Sequence, residues 1–104
     1  MTKTIMLVCA AGMSTSLLVT KMQKAAEEQG LEREIFAVSA TEADDILDSR
    51  KIDVLLLGPQ VRFMLDQFKE KVADKGIPVD SIPMSDYGMM NGPKVLELAE
   101  RLSS

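Results

Sequence analysis

The alternation of short apolar runs with helical stripes is the feature that most limits the fold of this chain. Residues 4–9 and 53–57 are mostly apolar runs of strand length. Between such runs, apolar residues recur at helical spacing, as Leu18, Met22 and Ala25 do at i, i+4 and i+7. Strands that alternate with helices pair in parallel, because each crossover helix returns the chain to the same end of the sheet. The pattern therefore predicts an α/β fold with a parallel sheet.

The predicted elements follow one another in the order βαβαβαβα. Gly30 and Gly76 mark two helix ends, and Ser39 with Glu42 fits a capping box. Pro78 favours an edge position for the fourth strand, because an edge strand can lose an N–H at little cost. We expect a four-stranded sheet of order 2-1-3-4 with helices on both faces. The predicted strands are 4–9, 34–38, 53–57 and 77–82, and the predicted helices are 16–29, 39–49, 61–75 and 92–102.

Size and composition predict one ordinary globular domain covering residues 1–104. The apolar fraction is 46% and the charged fraction is 27%, which is typical of folded chains. The apolar run at residues 5–10 is too short for a secretory signal, and no stretch is long enough to span a membrane. We expect a cytoplasmic protein.

Several classes of chemistry are disfavoured by the residues that this chain lacks. There is no His and only one Cys, so neither an internal disulfide nor a transition-metal cluster is expected, and no cofactor is predicted. The net charge of −4 argues against nucleic acid as a partner. The first acidic residue is Glu27, and Lys3, Lys21 and Lys24 precede it. An anion, if one binds, is therefore expected near the N-terminus.

The predicted strand order also places a ligand site. In doubly wound sheets, ligands bind beyond the carboxyl ends of the strands, at the point where the strand order reverses. In this chain that crevice lies between strands one and three. The loops after Cys9 and Leu57 should line it, with the loop after Ile82 alongside.

The loop that follows Cys9 has the residues of an anion-binding turn. It contains small residues with Gly12 among them, so successive N–H groups can point inward. The helix that follows adds unpaired amides and the positive end of its dipole, which should favour a nucleophilic thiolate at Cys9. A lone Cys at a strand end is more often a small buried hydrophobe, and that reading stays open here. The predicted phosphate-binding residues are Ala10, Ala11, Gly12, Met13, Ser14, Thr15 and Ser16.

Residues 5–19, Ile-Met-Leu-Val-Cys-Ala-Ala-Gly-Met-Ser-Thr-Ser-Leu-Leu-Val, closely resemble a bacterial family. It is the enzyme IIB subunit of the phosphoenolpyruvate-dependent sugar phosphotransferase system, lactose/cellobiose (diacetylchitobiose) class. Residues 53–61 look like the same family's second recognisable segment. The resemblance implies a phosphotransferase in which Cys9 accepts a phosphoryl group from a phosphohistidine of the IIA protein. Cys9 then donates it to a sugar held by the membrane subunit IIC.

Two other functions remain open on the residues. The family's fold is similar to that of low-molecular-weight tyrosine phosphatases, which carry an Arg six residues after the Cys; here that position is Thr15. Asp86 could mimic the phosphatase's general acid, although a turn or cap residue is the simpler reading. A non-catalytic flavodoxin-like binding or receiver module is the weaker alternative. A receiver needs acidic residues at the end of strand one, and this chain has none there.

The methionines suggest where partners would dock. Met13 lies in the Cys9 loop, and Met89 and Met90 follow strand four close to Tyr87. Flexible Met surfaces suit several partners in turn, so we expect these four residues to rim Cys9 and contact both IIA and IIC. The chain is expected to act as a monomer. Cellobiose, chitobiose and lactose all remain possible sugars.

Overall fold

The computed structural model describes residues 3–9 and 13–103, with Met13 and Ser14 described through their backbone only. These residues form four strands and five α-helices, joined in part by two short 3₁₀ segments. The strands are β1 Lys3–Cys9, β2 Arg33–Ser39, β3 Val54–Leu57 and β4 Val79–Ser81. The helices are α1 Met13–Glu28, α2 Ala40–Ser49, α3 Leu65–Lys71, α4 Met84–Gly88 and α5 Gly92–Ser103. The 3₁₀ segments are Pro59–Met64 and Ala73–Lys75.

The sheet has the predicted topology. Its strand order is β2-β1-β3-β4, and every neighbouring pair is parallel. In β1, Ile5 pairs with Ile35 of β2 and with Val54 of β3. The first strand of the chain is thus an inner strand of the sheet.

Helices cover both faces of this sheet, as the sequence predicted. Successive β1 side chains point to opposite faces, so Ile5 and Leu7 enter one core while Met6 and Val8 enter the other. The first core is completed mainly by α1 and α5, and the second mainly by α2 and α3. Burial on both faces explains why β1 and β3 read as continuous apolar runs.

Glycines end two helical segments at the predicted places. Gly30 has a φ of +70°, and its N–H donates to the Glu27 carbonyl. The N–H of Leu31 donates to the Ala26 carbonyl, which completes a Schellman motif. Gly76 has a φ of +68° and follows the second 3₁₀ segment. Both positions use the left-handed conformation that glycine adopts without strain.

Three helix predictions need correction. α1 begins at Met13, before the predicted Ser16, so the hydroxyl residues lie inside its first turn. The predicted helix 61–75 is divided among the first 3₁₀ segment, α3 and the second 3₁₀ segment, and the backbone leaves helical geometry at Val61 (φ −121°, ψ 17°) and at Val72 (φ −102°, ψ 8°). The Ser39 hydroxyl donates to the Glu42 carboxylate at 2.9 Å and makes no side-chain cap hydrogen bond, so the predicted capping box is not formed.

The fourth strand is shorter than predicted and lies at the predicted edge. β4 comprises three residues. Pro78 precedes it and has no N–H, yet its carbonyl accepts a hydrogen bond from the Leu55 N–H at 3.0 Å. The chain then forms α4, a short helix between Pro83 and Met89 that the sequence analysis did not predict.

Candidate functional site

The carboxyl ends of β1, β3 and β4 lie side by side at one end of the sheet. Cys9 is the last residue of β1. Beside it, the N–H of Gly58 donates to the Val8 carbonyl at 2.8 Å, and the N–H of Ile82 donates to the Leu57 carbonyl at 2.8 Å. The segments after β3 and β4 therefore begin beside the end of β1, as expected for the predicted crevice.

The Cys9 thiol is buried in this structure. Cys9 is 2% exposed. Its thiol donates a hydrogen bond to the Val38 carbonyl oxygen, which lies 3.6 Å from Sγ. Attack of the sulfur on another atom would require this hydrogen bond to break.

The N-terminus of α1 follows Cys9 closely. α1 spans 16 residues and begins at Met13, four positions after the thiol. The first amides of a helix have no partner within the helix, and they carry the positive end of its dipole. The predicted loop residues Ala10, Ala11 and Gly12, and the side chains of Met13 and Ser14, lie outside the described residues. Their role as a phosphate cradle stays a prediction.

Thr15 and Tyr87 form a buried pair next to this helix end. Thr15 is 1% exposed, and its Oγ1 lies 2.9 Å from the hydroxyl of Tyr87, which is 8% exposed. Tyr87 was expected to rim Cys9 and contact both partners; its burial leaves little of the side chain accessible to a partner. Its burial follows from its position on α4, the helix that the sequence analysis missed. The signal available in the sequence was that a lone Tyr in an aliphatic core needs a polar partner for its hydroxyl.

The remaining predicted residues of this region lie farther along α1 or on its surface. Ser16 has an exposed side chain, and its carbonyl accepts a hydrogen bond from the Thr20 hydroxyl. Met89 and Met90 line a groove of about 490 Å³ together with Lys21 and Lys24. Lys21 lies roughly 12 Å along the helix axis from the start of α1. The two methionines thus flank the middle of α1 rather than its first turn.

The early lysines do not gather at Cys9. Lys3 Nζ donates to Ser103 at the opposite, amino-terminal end of the sheet. Lys21 and Lys24 face the groove beside Met89. These three lysines therefore do not supply the positive charge that the sequence led us to expect near Cys9.

Other predicted chemistry can be checked within the described ranges. Among residues 3–9 and 13–103, no group of three or more acidic or cysteine side chains could hold a metal ion. No helix in the same ranges is long and apolar enough to cross a membrane.

Asp86 lies in the first turn of α4, and its carbonyl accepts a hydrogen bond from the Asn91 N–H at 2.8 Å. This is the position of a turn residue.

Comparison with known proteins decides the family. The family described as "PTS system, Lactose/Cellobiose specific IIB subunit" matches residues 4–98. The chain belongs to this family. The resemblance given by residues 5–19 is thereby confirmed, and the phosphatase and binding-module alternatives are not favoured. As a IIB component of the sugar phosphotransferase system, the chain works with IIA and IIC subunits.

Curated relatives of this IIB protein carry several sugar names. The galactose-specific EIIB component of Lactococcus lactis subsp. cremoris (strain MG1363) is 58% identical over 103 residues, covering 96% of this chain and 95% of the relative. The cellobiose-specific EIIB component of Lactococcus lactis subsp. lactis (strain IL1403) is 57% identical with the same coverage. The oligo-beta-mannoside-specific EIIB component of Bacillus subtilis (strain 168) is 44% identical over 97 residues, covering 93% and 92%.

Solved structures of IIB components share the fold. The solution structure of the cellobiose-specific IIB component from Borrelia burgdorferi matches with a TM-score of 0.79 and 42% identity, covering 98% of this chain and 92% of that one. The lactose-specific IIB domain from Streptococcus pneumoniae matches with a TM-score of 0.88 over the full length of both chains, at 17% identity. The second likeness concerns the fold alone.

Proposed function

We propose that this IIB subunit carries a phosphoryl group on Cys9 between a IIA phosphohistidine and a sugar bound by membrane-embedded IIC. The observation that carries the proposal is the position of Cys9, at the end of a central strand and four residues before the N-terminus of the 16-residue helix α1. We place the protein in the cytoplasm, acting as a monomer that meets each partner in turn.

The relay consists of two displacements at phosphorus. In the first, the Cys9 sulfur attacks the phosphoryl group, the S–P bond forms and the N–P bond of the donor histidine breaks. The thiol proton leaves Cys9, and the released imidazole nitrogen can take up a proton. In the second, a sugar hydroxyl attacks phosphorus, the S–P bond breaks and the hydroxyl proton is released. Cys9 then returns to its thiol form, so atoms and charge balance over the cycle.

Main-chain groups at the start of α1 would stabilise the phosphocysteine. The helix dipole and the first-turn amides favour a doubly negative group at this end. The sixth position after Cys9, where low-molecular-weight phosphatases have Arg, is a buried Thr15. A phosphoryl group that lacks a bidentate guanidinium contact loses transition-state stabilisation for hydrolysis. This favours an intermediate that persists until the next partner arrives.

Exposed apolar side chains suggest where the partners bind. Within the described residues, the large hydrophobic side chains that are most exposed are Leu17, Phe63, Met84 and Met89. Each lies in a segment that follows the carboxyl end of β1, β3 or β4. We call these four residues the apolar ring. Large apolar side chains left exposed on a small protein are typical of a docking surface.

The sugar belongs, in our proposal, to the lactose/cellobiose class named for the family. The two Lactococcus lactis relatives, at 58% and 57% identity, bear different sugar names, galactose and cellobiose. Identity at this level therefore does not select one sugar. We assign that choice to IIC, which holds the sugar during transfer.

A phosphorylation assay tests the proposal. The chain is incubated with phosphoenolpyruvate, the general relay proteins and a matching IIA, and the product is mapped by mass spectrometry. One phosphoryl group is expected on Cys9, and addition of IIC membranes with cellobiose should remove it. Cys9→Ala should abolish sugar phosphorylation, whereas Thr20→Val, on the exposed side of α1, should leave it intact. An unmodified Cys9 beside a fully phosphorylated IIA would contradict the proposal, as would turnover of a generic aryl phosphate without a lasting adduct.

A further inference from the structure

We propose that Tyr87 is a positioning residue for phosphoryl transfer, acting through Thr15 on the first turn of α1. The inference rests on the proposed function of Cys9. The Tyr87 hydroxyl does not need to touch the phosphoryl group. It fixes the side chain of a residue two positions after Met13, where the helix begins.

The contacts of Tyr87 join three segments that follow strand ends. Its hydroxyl bonds Thr15 on α1 across 72 positions of sequence. Its ring lies against Gly58, the residue after β3, because a Cβ built on Gly58 would be 3.7 Å from Tyr87 Cε2. Its own backbone belongs to α4, where its N–H donates to the Pro83 carbonyl. One side chain thus connects the segments after β1, β3 and β4.

The hydrogen bond matters because both hydroxyls are buried. A buried hydroxyl that loses its hydrogen-bond partner destabilises the fold, because it is removed from water and nothing replaces the hydrogen bonds that water made. Within the described residues, every buried side-chain nitrogen or oxygen has a hydrogen-bond partner, and the Thr15–Tyr87 pair is part of this pattern. The terminal turns of a helix fray, including the first. Anchoring Thr15 opposes that fraying where the orientation of the amides decides how well they meet a phosphoryl oxygen.

The test uses Tyr87→Phe, Thr15→Val and the double variant. Each single variant removes the same hydrogen bond from one side while keeping the volume of the side chain nearly constant. We expect the kcat for transfer from phospho-IIA to Cys9 to fall about fivefold in each, as for one lost neutral hydrogen bond. The KM for IIA should stay unchanged, because both residues are buried. The ³¹P shift of phospho-Cys9 should move, and the double variant should be no slower than either single one.

A destabilising variant far from Cys9 separates positioning from general destabilisation. Glu100→Gln weakens an ion pair at the opposite end of the sheet and should leave kcat and the ³¹P shift at their wild-type values. If Tyr87→Phe retains both wild-type values, or behaves like Glu100→Gln, the positioning role is wrong while the phosphocarrier function stands. If one variant does not fold, the other removes the same bond and decides the question. If wild-type Cys9 accepts no phosphoryl group, the proposed function itself fails.

Discussion

At the scale of single residues, Gly88 and Gly92 differ sharply in the space around them. A Cβ on Gly92 would lie 2.6 Å from the carbonyl carbon and 2.7 Å from the carbonyl oxygen of Lys21. Both atoms belong to the backbone of α1, so they cannot turn aside as a flexible side chain would. A Cβ on Gly88 would meet nothing within 4 Å. The start of α5 therefore packs directly on the α1 backbone through the absence of a side chain.

Gly92→Ala should destabilise the fold. Its methyl group forces α5 and α1 apart, and we expect the free energy of unfolding to fall by about 1–3 kcal/mol. Gly88→Ala is the matched control and should be neutral or stabilising by up to about 1 kcal/mol, because Ala restricts the unfolded chain. Urea unfolding of both variants and the wild type measures the difference. Equal stability of the two variants would contradict the close packing of α5 on α1.

The buried hydrogen bond of Tyr87 could not be predicted from the sequence, whereas the place of Cys9 at the end of the first strand could. Cys9 was predicted because its local sequence, a strand end followed by small and hydroxyl residues, carries the signal. Tyr87 finds its partner 72 positions away, and no local pattern encodes that distance. Its short helix lies between Pro83 and Met89, which leaves too few residues for an amphipathic period to appear.

At the scale of elements, an ion pair ties the start of β2 to α5. The Nε and Nη2 groups of Arg33 donate to the two carboxylate oxygens of Glu100, each at 2.6 Å. These hydrogen bonds lower the pKa of the Glu100 carboxyl, while partial burial acts in the opposite direction. The geometry is bidentate, which is the strongest arrangement of this pair. The last helix is thereby anchored at the amino-terminal end of the sheet.

The lowered pKa of Glu100 predicts a pH-dependent contribution to stability. The unfolded-state pKa of Glu is about 4.3, so this contribution is complete above about pH 5. It is lost as the pH falls through the lower pKa of the folded state, because protonation removes the charge that Arg33 binds. The unfolding free energies of wild type and Glu100→Gln, measured by denaturant between about pH 7 and 3, should converge at low pH.

A neighbouring carboxylate provides the control for this prediction. Glu97 is exposed on the same helix, and Glu97→Gln should change the unfolding free energy little at any pH. A difference between wild type and Glu100→Gln that stays constant down to pH 3 would show that the ion pair adds no pH-dependent stability.

Most elements could be predicted because their apolar periods are long or continuous. The strand order, the helices on both faces and the Gly30 and Gly76 helix ends all followed from such patterns. The prediction of one continuous helix in residues 59–75 was wrong for a specific reason. The apolar stripe at Val61, Met64, Leu65 and Phe68 indicates only which side of the segment faces the core. It does not record that Val61 leaves helical geometry after Pro59. Burial pattern and backbone geometry separate at this segment.

At the scale of the whole molecule, the two ends of the sheet have different surfaces. The amino-terminal end holds the Arg33–Glu100 pair and the bond from Lys3 to Ser103. The carboxyl end holds Cys9 and the start of α1, and the four exposed residues of the apolar ring lie on segments that follow β1, β3 and β4. In our proposal, polar contacts within the chain occupy the first end, while the apolar ring remains for contact with partners.

Substitutions in the apolar ring should affect transfer and leave the fold intact. Phe63→Ser and Met84→Ser remove apolar side chains that are 78% and 68% exposed, so thermal stability should change little. We expect the KM for phospho-IIA to rise by about five- to tenfold, since each side chain would lose roughly 1 kcal/mol of contact. Lys51→Ser, exposed at the amino-terminal end, is the control and should leave the KM unchanged. Wild-type kinetics in both ring variants would place the partner contact elsewhere.

The bond between Thr15 and Tyr87 has a consequence for the newly synthesised protein. Tyr87 is translated 72 codons after Thr15, so the chain is synthesised through Cys9 and Thr15 well before the partner of Thr15 exists. A fragment that ends before Tyr87 contains Cys9 without the hydroxyl that holds Thr15. If Cys9 and Tyr87 act as we propose, such a fragment would accept phosphoryl groups from IIA more slowly than the chain that includes Tyr87.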